Sequence, residues 1–510
     1  MSRIFSTMRS KQWAAAIGLA GGAVLASAHG AAAQDAACSA LAAPGLFPNV
    51  TVSSAKEVAA DAAKGLPAQC EVTATISPVA GSKIGVVYRL PKTWNGKLVG
   101  FGGGGWAGNV RPETAADALK VGYASAQTDG GHPSPQAFDT SWVAPGGKAA
   151  EVALTDFAHR GVHQMTVVGK LLVAKYYGKP QSRAYFQGCS TGGRMALMEA
   201  QRYPDDYDGI IAGAPVYSLR VQAAEIWRDD IFAKPGAGIS TAQAELVHQA
   251  SLAACDAQDG LKDGIVTDPR VCKFDPVVLQ CKAGQSGDQC LTPAQVAAVR
   301  TAYREIRAGK IVTVFPLARG SENAWPQFTN TANKAGPPAR DLGLRVPMFG
   351  DANFDFAKFD PAKDTLKARS GAFAKYYEAA DPNLAPFLKH NGKLIIWHGQ
   401  DDPGPSPLAT IEYYGDVQKT TGPKVGAKKL DDSVRLFLAP GVYHCGGGPG
   451  ADKFDMIAAL DNWVEHDRAP ERIRATKASG PMSRPLCPYP ALPRYKGDGD
   501  VNDERNFVCK

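Results

Sequence analysis

Three residues are spaced to perform acyl chemistry. Ser190 sits at the centre of Gly188-Cys189-Ser190-Thr191-Gly192, a Gly-x-Ser-x-Gly run. An apolar strand signal (residues 184–186) leads into it and a helical pattern (193–202) leads out. Small glycines there permit a tight strand-to-helix turn that lifts a serine hydroxyl above a sheet edge. A tight structural turn is the plainer use of the same residues. Serine becomes a nucleophile at neutral pH only beside a base, and the base needs an acid to orient it. His444 follows the late strand signal at 434–438, and Asp402 follows the one at 393–397. Asp401 is the adjacent rival for the acid. His398 reads as a turn histidine bonded locally. Two cysteines flank this chemistry: Cys189 precedes Ser190 and Cys445 follows His444. If bridged, they would hold the serine and the histidine in one small volume, since a disulfide keeps its Cα atoms about 5.5–6 Å apart. Cys189 as a thiol nucleophile would lie off the apex of the turn.

The order Ser, Asp, His along the chain is that of α/β-hydrolases. In such a site the oxyanion needs two backbone N–H donors. One is expected from Thr191, after the nucleophile, and the other from the loop after an earlier strand, Gly102-Gly103-Gly104-Gly105, with Gly104 the chosen donor. No Gly-Lys-Ser/Thr follows that loop, which argues against a phosphate-binding P-loop.

The elements that must position these residues alternate. Strand signals at 84–90, 97–101, 123–127, 184–186 and 209–212 interleave with a helical pattern at 155–177, where Phe157, Val162, Met165, Val168, Leu171 and Leu172 recur near helical spacing. Strands at 393–397 and 434–438 and a helix at 452–466, with Phe454, Ile457, Leu460 and Trp463 as its apolar stripe, resume the rhythm. Alternation of this kind predicts a mainly parallel sheet covered on both faces, an α/β fold. The stretch 217–383 breaks it with Pro, Gly, four cysteines and few strand signals, as an inserted domain would. The expected organisation is a signal peptide at 1–33, a first core part at 34–216, the insertion at 217–383 and a second core part at 384–510. The Gly/Asp-rich stretch 497–503 reads as a mobile tail pinned by Cys509.

The 510 residues carry a formal charge of +7, with 45% hydrophobic and 21% charged residues, ordinary for a globular protein. The basic residues are scattered, so no nucleic-acid footprint is present. Arg3, Arg9 and Lys11 precede a short Gly/Ala-rich apolar stretch that ends near Ala31-Ala32-Ala33, the pattern of a secretory signal rather than of a membrane span. No later segment is apolar enough to span, so no membrane partner is expected. Export to the periplasm or beyond suits ten cysteines, all beyond the signal. Local pairing would join Cys38 to Cys70, Cys255 to Cys272, Cys281 to Cys290 and Cys487 to Cys509. It would leave Cys189 and Cys445 as a long-range pair; a sequence by itself does not settle connectivity. A zinc site is the rival use, but no Cys-x-x-Cys occurs. Within the insertion, Asp256, Asp259 and Asp263 lie in one Gly-containing loop. That is either a hard-oxygen cage suited to calcium, without EF-hand spacing, or a solvated acidic loop.

The blocks Gly188-Cys189-Ser190-Thr191-Gly192-Gly193-Arg194, Glu199-Ala200-Gln201-Arg202-Tyr203-Pro204, His398-Gly399-x-x-Asp402 and Pro440-Gly441-x-x-His444-Cys445-x-Gly447-Gly448-Pro449-Gly450 resemble those of the tannase and feruloyl esterase family. The resemblance spans nearly the whole chain beyond the signal. It implies an α/β-hydrolase core with a large inserted lid domain and the triad Ser190, Asp402 and His444, with Asp402 in place of Asp401. It also implies a bridge between Cys189 and Cys445. Calcium would be held structurally in the lid by the side chains of Asp256, Asp259 and Asp263 and the carbonyls of Leu261 and Ile265, with no organic cofactor. The activity implied is a serine carboxylesterase acting on small esters of aromatic acids, feruloyl (hydroxycinnamoyl) or galloyl, of plant polyphenol or cell-wall origin. The terephthalate-monoester branch of the family is the alternative, although it carries an aromatic ring three residues beyond the acid, where this chain has Pro405. A non-catalytic binding protein on a hydrolase fold is the alternative of another class, and the intact Ser, Asp and His argue against it. Trp325, Phe328, Phe349, Phe354 and Phe356 are candidates for an aromatic slot or for plain core.

Overall fold

Strand-forming segments of β-branched and aromatic residues build one nine-stranded sheet in the computed structural model, which describes residues 37–132, 134, 136–143, 147–334 and 338–510. The expected signal, 1–33, lies outside the described residues. The strands are β1 (Val50–Val58), β2 (Gln69–Ile76), β3 (Ile84–Pro91), β4 (Lys97–Phe101), β5 (Ala124–Thr128), β6 (Arg183–Cys189), β7 (Gly209–Gly213), β8 (Lys393–Gly399) and β9 (Val434–Ala439). Their spatial order is β1-β2-β3-β5-β4-β6-β7-β8-β9. β1 to β3 form an antiparallel meander, and β3 meets β5 antiparallel. From β5 to β9 every pairing is parallel. The central strands β7 and β8 are buried along their whole length, as strands covered on both faces must be. Edge strand β1 keeps alternate residues toward solvent.

Two strands of this sheet escaped the reading of the sequence. β1 and β2 precede the first expected strand, yet Gln69–Ile76 shows the period-two burial that its Cys70, Val72, Ala74 and Ile76 alternation encodes. The helix expected at 155–177 is regular only as α1 (Gly161–Tyr177), preceded by a wider π-type turn over Asp156–Arg160. Helix α2 (Thr191–Arg202) starts directly after Ser190.

The chain between β7 and β8 carries helices α3 (Leu219–Ala233), α4 (Thr241–Cys255) and α5 (Ala339–Phe349). It has a hydrophobic cluster of its own, built on Phe232, Ile239, Val247, Val266, Leu291, Val299 and Trp325. Five disulfides pair Cys38–Cys70, Cys189–Cys445, Cys255–Cys272, Cys281–Cys290 and Cys487–Cys509. The stretch 497–503 is not the loose tail expected of its composition. Its carbonyls are taken up by neighbours: Ser483 N–H donates to Asn502 O at 2.8 Å and Arg484 Nη1 to Val501 O at 2.7 Å. Among the described residues no helix is long and apolar enough to cross a membrane.

Candidate active site

The turn between β6 and α2 has no room for side chains at its glycines. A Cβ on Gly188 would lie 2.4 Å from the Gly192 carbonyl, and one on Gly193 would lie 2.2 Å from Gly213 O. Ser190 at the apex takes φ 64°, ψ −123°, a conformation costly for an L-residue. The turn is held by Ser190 N–H donating to Gly213 O (3.0 Å), and by Arg194 N–H and Val216 N–H donating to Ser190 O (3.0 and 3.2 Å). Strain at one residue, fixed by surrounding hydrogen bonds, presents its hydroxyl to the cavity above the sheet.

His444 and Asp402 reach the same place from the carboxyl ends of β9 and β8. His444 Nδ1 lies 2.7 Å from Asp402 Oδ2. Asp402 is fully buried, and its other oxygen accepts from Gly404 N–H at 2.8 Å. Burial pushes its carboxyl up, but the charge of His444 and hydrogen bonds from His398 and His444 outweigh that and hold it at about 2. His444 moves the other way. Burial disfavours its charged form, yet the Asp402 carboxylate overrides burial and raises the imidazole above its ordinary value. Asp401 points elsewhere. It is buried near Glu322 with neither carboxyl oxygen hydrogen-bonded among the described residues, and burial pushes it well above the carboxylate range. His398 is bonded locally, as its sequence setting implies, with Nδ1 2.7 Å from Thr410 Oγ1 and Nε2 3.0 Å from Pro405 O. It also reaches Asp402 Oδ2 at 3.2 Å, which the sequence did not disclose.

Ser190, Thr191, His444 and both bridging cysteines line one cavity of about 410 Å³, within the range of small-ligand pockets. The Cys189–Cys445 bridge, Cα–Cα 6.0 Å, joins the β6 end to the β9 end at its floor. The glycine loop 102–105 forms one wall. Gly102 N–H is committed to Gln187 O (2.9 Å), whereas a Cβ on Gly104 would meet nothing within 4 Å, so the backbone at Gly104 borders open space. Thr191 and Gly104, the two residues expected to supply oxyanion donors, both line this cavity.

Of the candidate aromatics only Phe328 lines the cavity, with its ring edge-on to His444 at 5.2 Å. Trp325 is fully buried against Phe232 and Tyr303, and Phe349 stacks on Phe354 at 3.6 Å, with Phe356 beside them. Other lining residues went unread in the sequence: Trp106, Gln222, Glu225, Arg340 and Leu344. Trp106 directly follows the glycine loop, a signal that could have been used. Gln222 and Glu225 lie three apart on a helix buried almost all round, which hides any amphipathic pattern.

The acidic loop of the insertion is closed by its own donors. Asp256 accepts from the N–H groups of Asp263 and Gly264 (3.1 and 3.0 Å), and Asp259 from Leu261 N–H and Thr267 Oγ1 (3.0 and 2.6 Å). Asp263 Oδ2 pairs with Arg484 at 2.5 Å, while its Oδ1 is buried without a partner among the described residues, and burial raises its pKa. Oxygen donors and one unsatisfied buried carboxylate oxygen fit a hard cation. The three carboxylates do not, however, converge within 4.8 Å of one another.

Comparison with known proteins bears on the family of the chain. Residues 70–510 match the family model described as tannase and feruloyl esterase. The chain is 34% identical to the mono(2-hydroxyethyl) terephthalate hydrolase of Piscinibacter sakaiensis, covering 88% of this chain and 85% of that one. It is likewise 34% identical to a probable feruloyl esterase of Arthroderma benhamiae, covering 86% and 85%. Among solved structures it superposes on feruloyl esterase B from Aspergillus oryzae with a TM-score of 0.82 at 27% identity, covering 94% of this chain and all of that one. A tannin acyl hydrolase from Aspergillus niger shares the fold, with a TM-score of 0.78 at 22% identity over 93% and 94% of the chains. With an α/β-hydrolase core and a family match over most of its length, the chain belongs to the tannase and feruloyl esterase family of carboxylic ester hydrolases.

Proposed function

We propose that this protein hydrolyses esters of aromatic acids, feruloyl (hydroxycinnamoyl) or galloyl, with Ser190 as nucleophile. The observation that carries the reading is the convergence of Ser190, the Asp402-bonded His444 and the glycine loop on one cavity. Because Asp402 Oδ2 accepts from Nδ1–H, the imidazole presents Nε2 as a base. His444 Nε2 takes the Ser190 hydroxyl proton as Oγ bonds to the ester carbon. The tetrahedral oxyanion is met by the N–H groups of Thr191 and Gly104. Collapse breaks the bond to the alcohol, which leaves with the proton from His444. A water then gives a proton to His444, attacks the acyl-enzyme and frees the acid, and Ser190 recovers its proton.

The insertion acts as a lid, since its residues Gln222, Glu225, Phe328 and Arg340 supply one side of the cavity. Five disulfides support export to an oxidising compartment, secreted or periplasmic. Calcium would be held in the lid by Asp256, Asp259 and Asp263 with the Leu261 and Ile265 carbonyls, and it would cross-link the loop without entering the reaction. Pro405 on the cavity wall, in place of a ring, weighs against a terephthalate-monoester preference.

The test is turnover of methyl ferulate, methyl gallate and a terephthalate monoester by the wild type and Ser190→Ala. The variant should lose at least about 10⁴-fold in kcat. A wild type inert toward all three esters overturns the activity, and a variant as fast as wild type overturns the role of Ser190.

A further inference from the structure

The turn that carries the acid, Asp402-Pro403-Gly404-Pro405, is short of donors of its own. Its two prolines have no N–H. Gly404 N–H is therefore the one backbone donor of residues 403–405, and it goes to Asp402 Oδ1 at 2.8 Å. The three carbonyls are met from outside the turn. Pro405 O faces His398 Nε2 at 3.0 Å. Pro403 O, at 3.1 Å, and Gly404 O both accept from Nη1 of Arg228, on α3 of the inserted domain. Gly404 is packed between its neighbours: a Cβ there would lie 3.0 Å from the Phe328 ring and 3.3 Å from Asp402 Oδ1.

Arg228 is fully buried and does not line the cavity. Among the described residues its hydrogen bonds go to this turn alone, and its Nε and Nη2 are buried without a partner. Burial lowers the guanidinium to about 10 against the opposing charges of Glu225 and Asp402, so it stays a cation at neutral pH. Arg340 and Asp229 are the other charged groups that reach it. A buried cation with unpaired N–H groups is costly, and packing α3 onto the core does not require one.

We propose that Arg228 is a positioning residue of the reaction: it holds the Pro403 and Gly404 carbonyls so that Gly404 N–H fixes one oxygen of Asp402 and leaves the other aimed at His444 Nδ1. This rests on the reading of Asp402 as the acid of the triad. The inserted domain then completes the triad as well as covering it. The bond at stake is the 2.7 Å contact that orients the base. Removing Arg228 acts on His444 in two opposed ways. Loss of a positive charge by itself favours the imidazolium and raises its titration, whereas a loosened Asp402 lowers it. Asp402 and Glu225 are the charged groups that reach His444, and Glu225 keeps Arg340 at 2.9 Å.

Titration of the His444 imidazole by NMR in the Ser190→Ala protein needs no turnover. Adding Arg228→Met should move it to lower pH. Arg228→Gln, neutral and too short to reach both carbonyls, should do the same and carries the test if the Met variant does not fold. Arg220→Met removes another buried arginine of α3, bonded to Val312 O and Tyr217 Oη away from the turn, and should leave the titration in place. With Ser190 intact, Arg228→Met should lower kcat about tenfold or more, with KM within about threefold. On top of Asp402→Asn the same change should cost less than about threefold in kcat, because the group it positions is already gone. A His444 titration that stays or rises in a folded Arg228 variant overturns the proposal. So does an equal shift in Arg220→Met, or an undiminished loss of kcat on top of Asp402→Asn. A wild type without ester turnover sinks the proposed activity and leaves the titration test of Arg228 intact.

Discussion

Asp402 serves two histidines with one oxygen. His444 Nδ1 at 2.7 Å and His398 Nε2 at 3.2 Å both address Oδ2. His398 Nε2 also faces Pro405 O, and since both of its partners accept, that nitrogen carries a proton. His398 Nδ1 lies 2.7 Å from Thr410 Oγ1. The position of Ser190, Asp402 and His444 was legible because each follows a strand end, and strand ends are readable from apolar runs bounded by turns. The second histidine was not, because only tertiary contact tells a turn histidine that touches the acid from one that does not. The electrostatics set a pH dependence. Asp402 is depressed from 3.8 to about 2, so its contribution to stability is present above pH 3.8 and lost as pH falls through 2. His444 is raised above 6.5, so its contribution is full below 6.5 and lost as pH rises past its folded value. Catalysis needs the imidazole neutral, so kcat/KM should rise with pH along a limb centred above 6.5. Asp402→Asn leaves only the Glu225 charge to oppose burial at His444. The limb should move below that of wild type, with kcat down by about 10⁴. A pH–rate profile with an unmoved limb would show that Asp402 does not set the base.

The helix α3 and the loop after β8 act as one piece. Arg228 on α3 is fully buried and donates through Nη1 to Pro403 O at 3.1 Å and to Gly404 O. The inserted domain thereby holds the loop that carries Asp402, while Gln222 and Glu225 on the same helix face the cavity. None of this could be read from the residues of α3, since a helix buried on nearly every side shows no apolar stripe against a polar one. The core strands were legible for the opposite reason: parallel strands covered on both faces read as continuous apolar runs. The acidic loop 256–265 belongs to this scale as well. If calcium binds there, Asp263 Oδ1 gains the partner it lacks, and the folded state gains RT ln(1 + [Ca²⁺]/Kd) of stability. Calcium at a hundred times Kd would add about 2.7 kcal/mol, so excess chelator should lower Tm and added calcium should restore it. An unchanged Tm in chelator, checked by unfolding curves of the Ser190→Ala protein, would remove calcium from the loop.

Across the whole molecule the five disulfides divide into two kinds. Four close short loops, with separations of 9, 17, 22 and 32 residues. The fifth spans 256 residues and ties the end of β6 to the loop after β9, across the insertion. In the chain-entropy picture a closure of that length stabilises by about 5 kcal/mol, so a role as a staple alone would suffice to keep it. Its neighbours make a second role testable. Ser190 is strained at φ 64°, and Cys445 itself sits at φ 63°; both conformations persist only while the surroundings enforce them. Four other bridges and a sheet of nine strands remain to hold the fold when this bridge is gone. The Cys189→Ala/Cys445→Ala protein should therefore stay folded at moderate temperature, with a lowered Tm, and lose tenfold or more in kcat because misplacing reacting groups by about 1 Å costs on the order of 10²-fold. Turnover measured well below its own Tm separates the two roles. If the folded double variant hydrolyses its ester at the wild-type rate, the bridge staples the two halves of the core and the Ser190–His444 geometry is held by the strand ends alone.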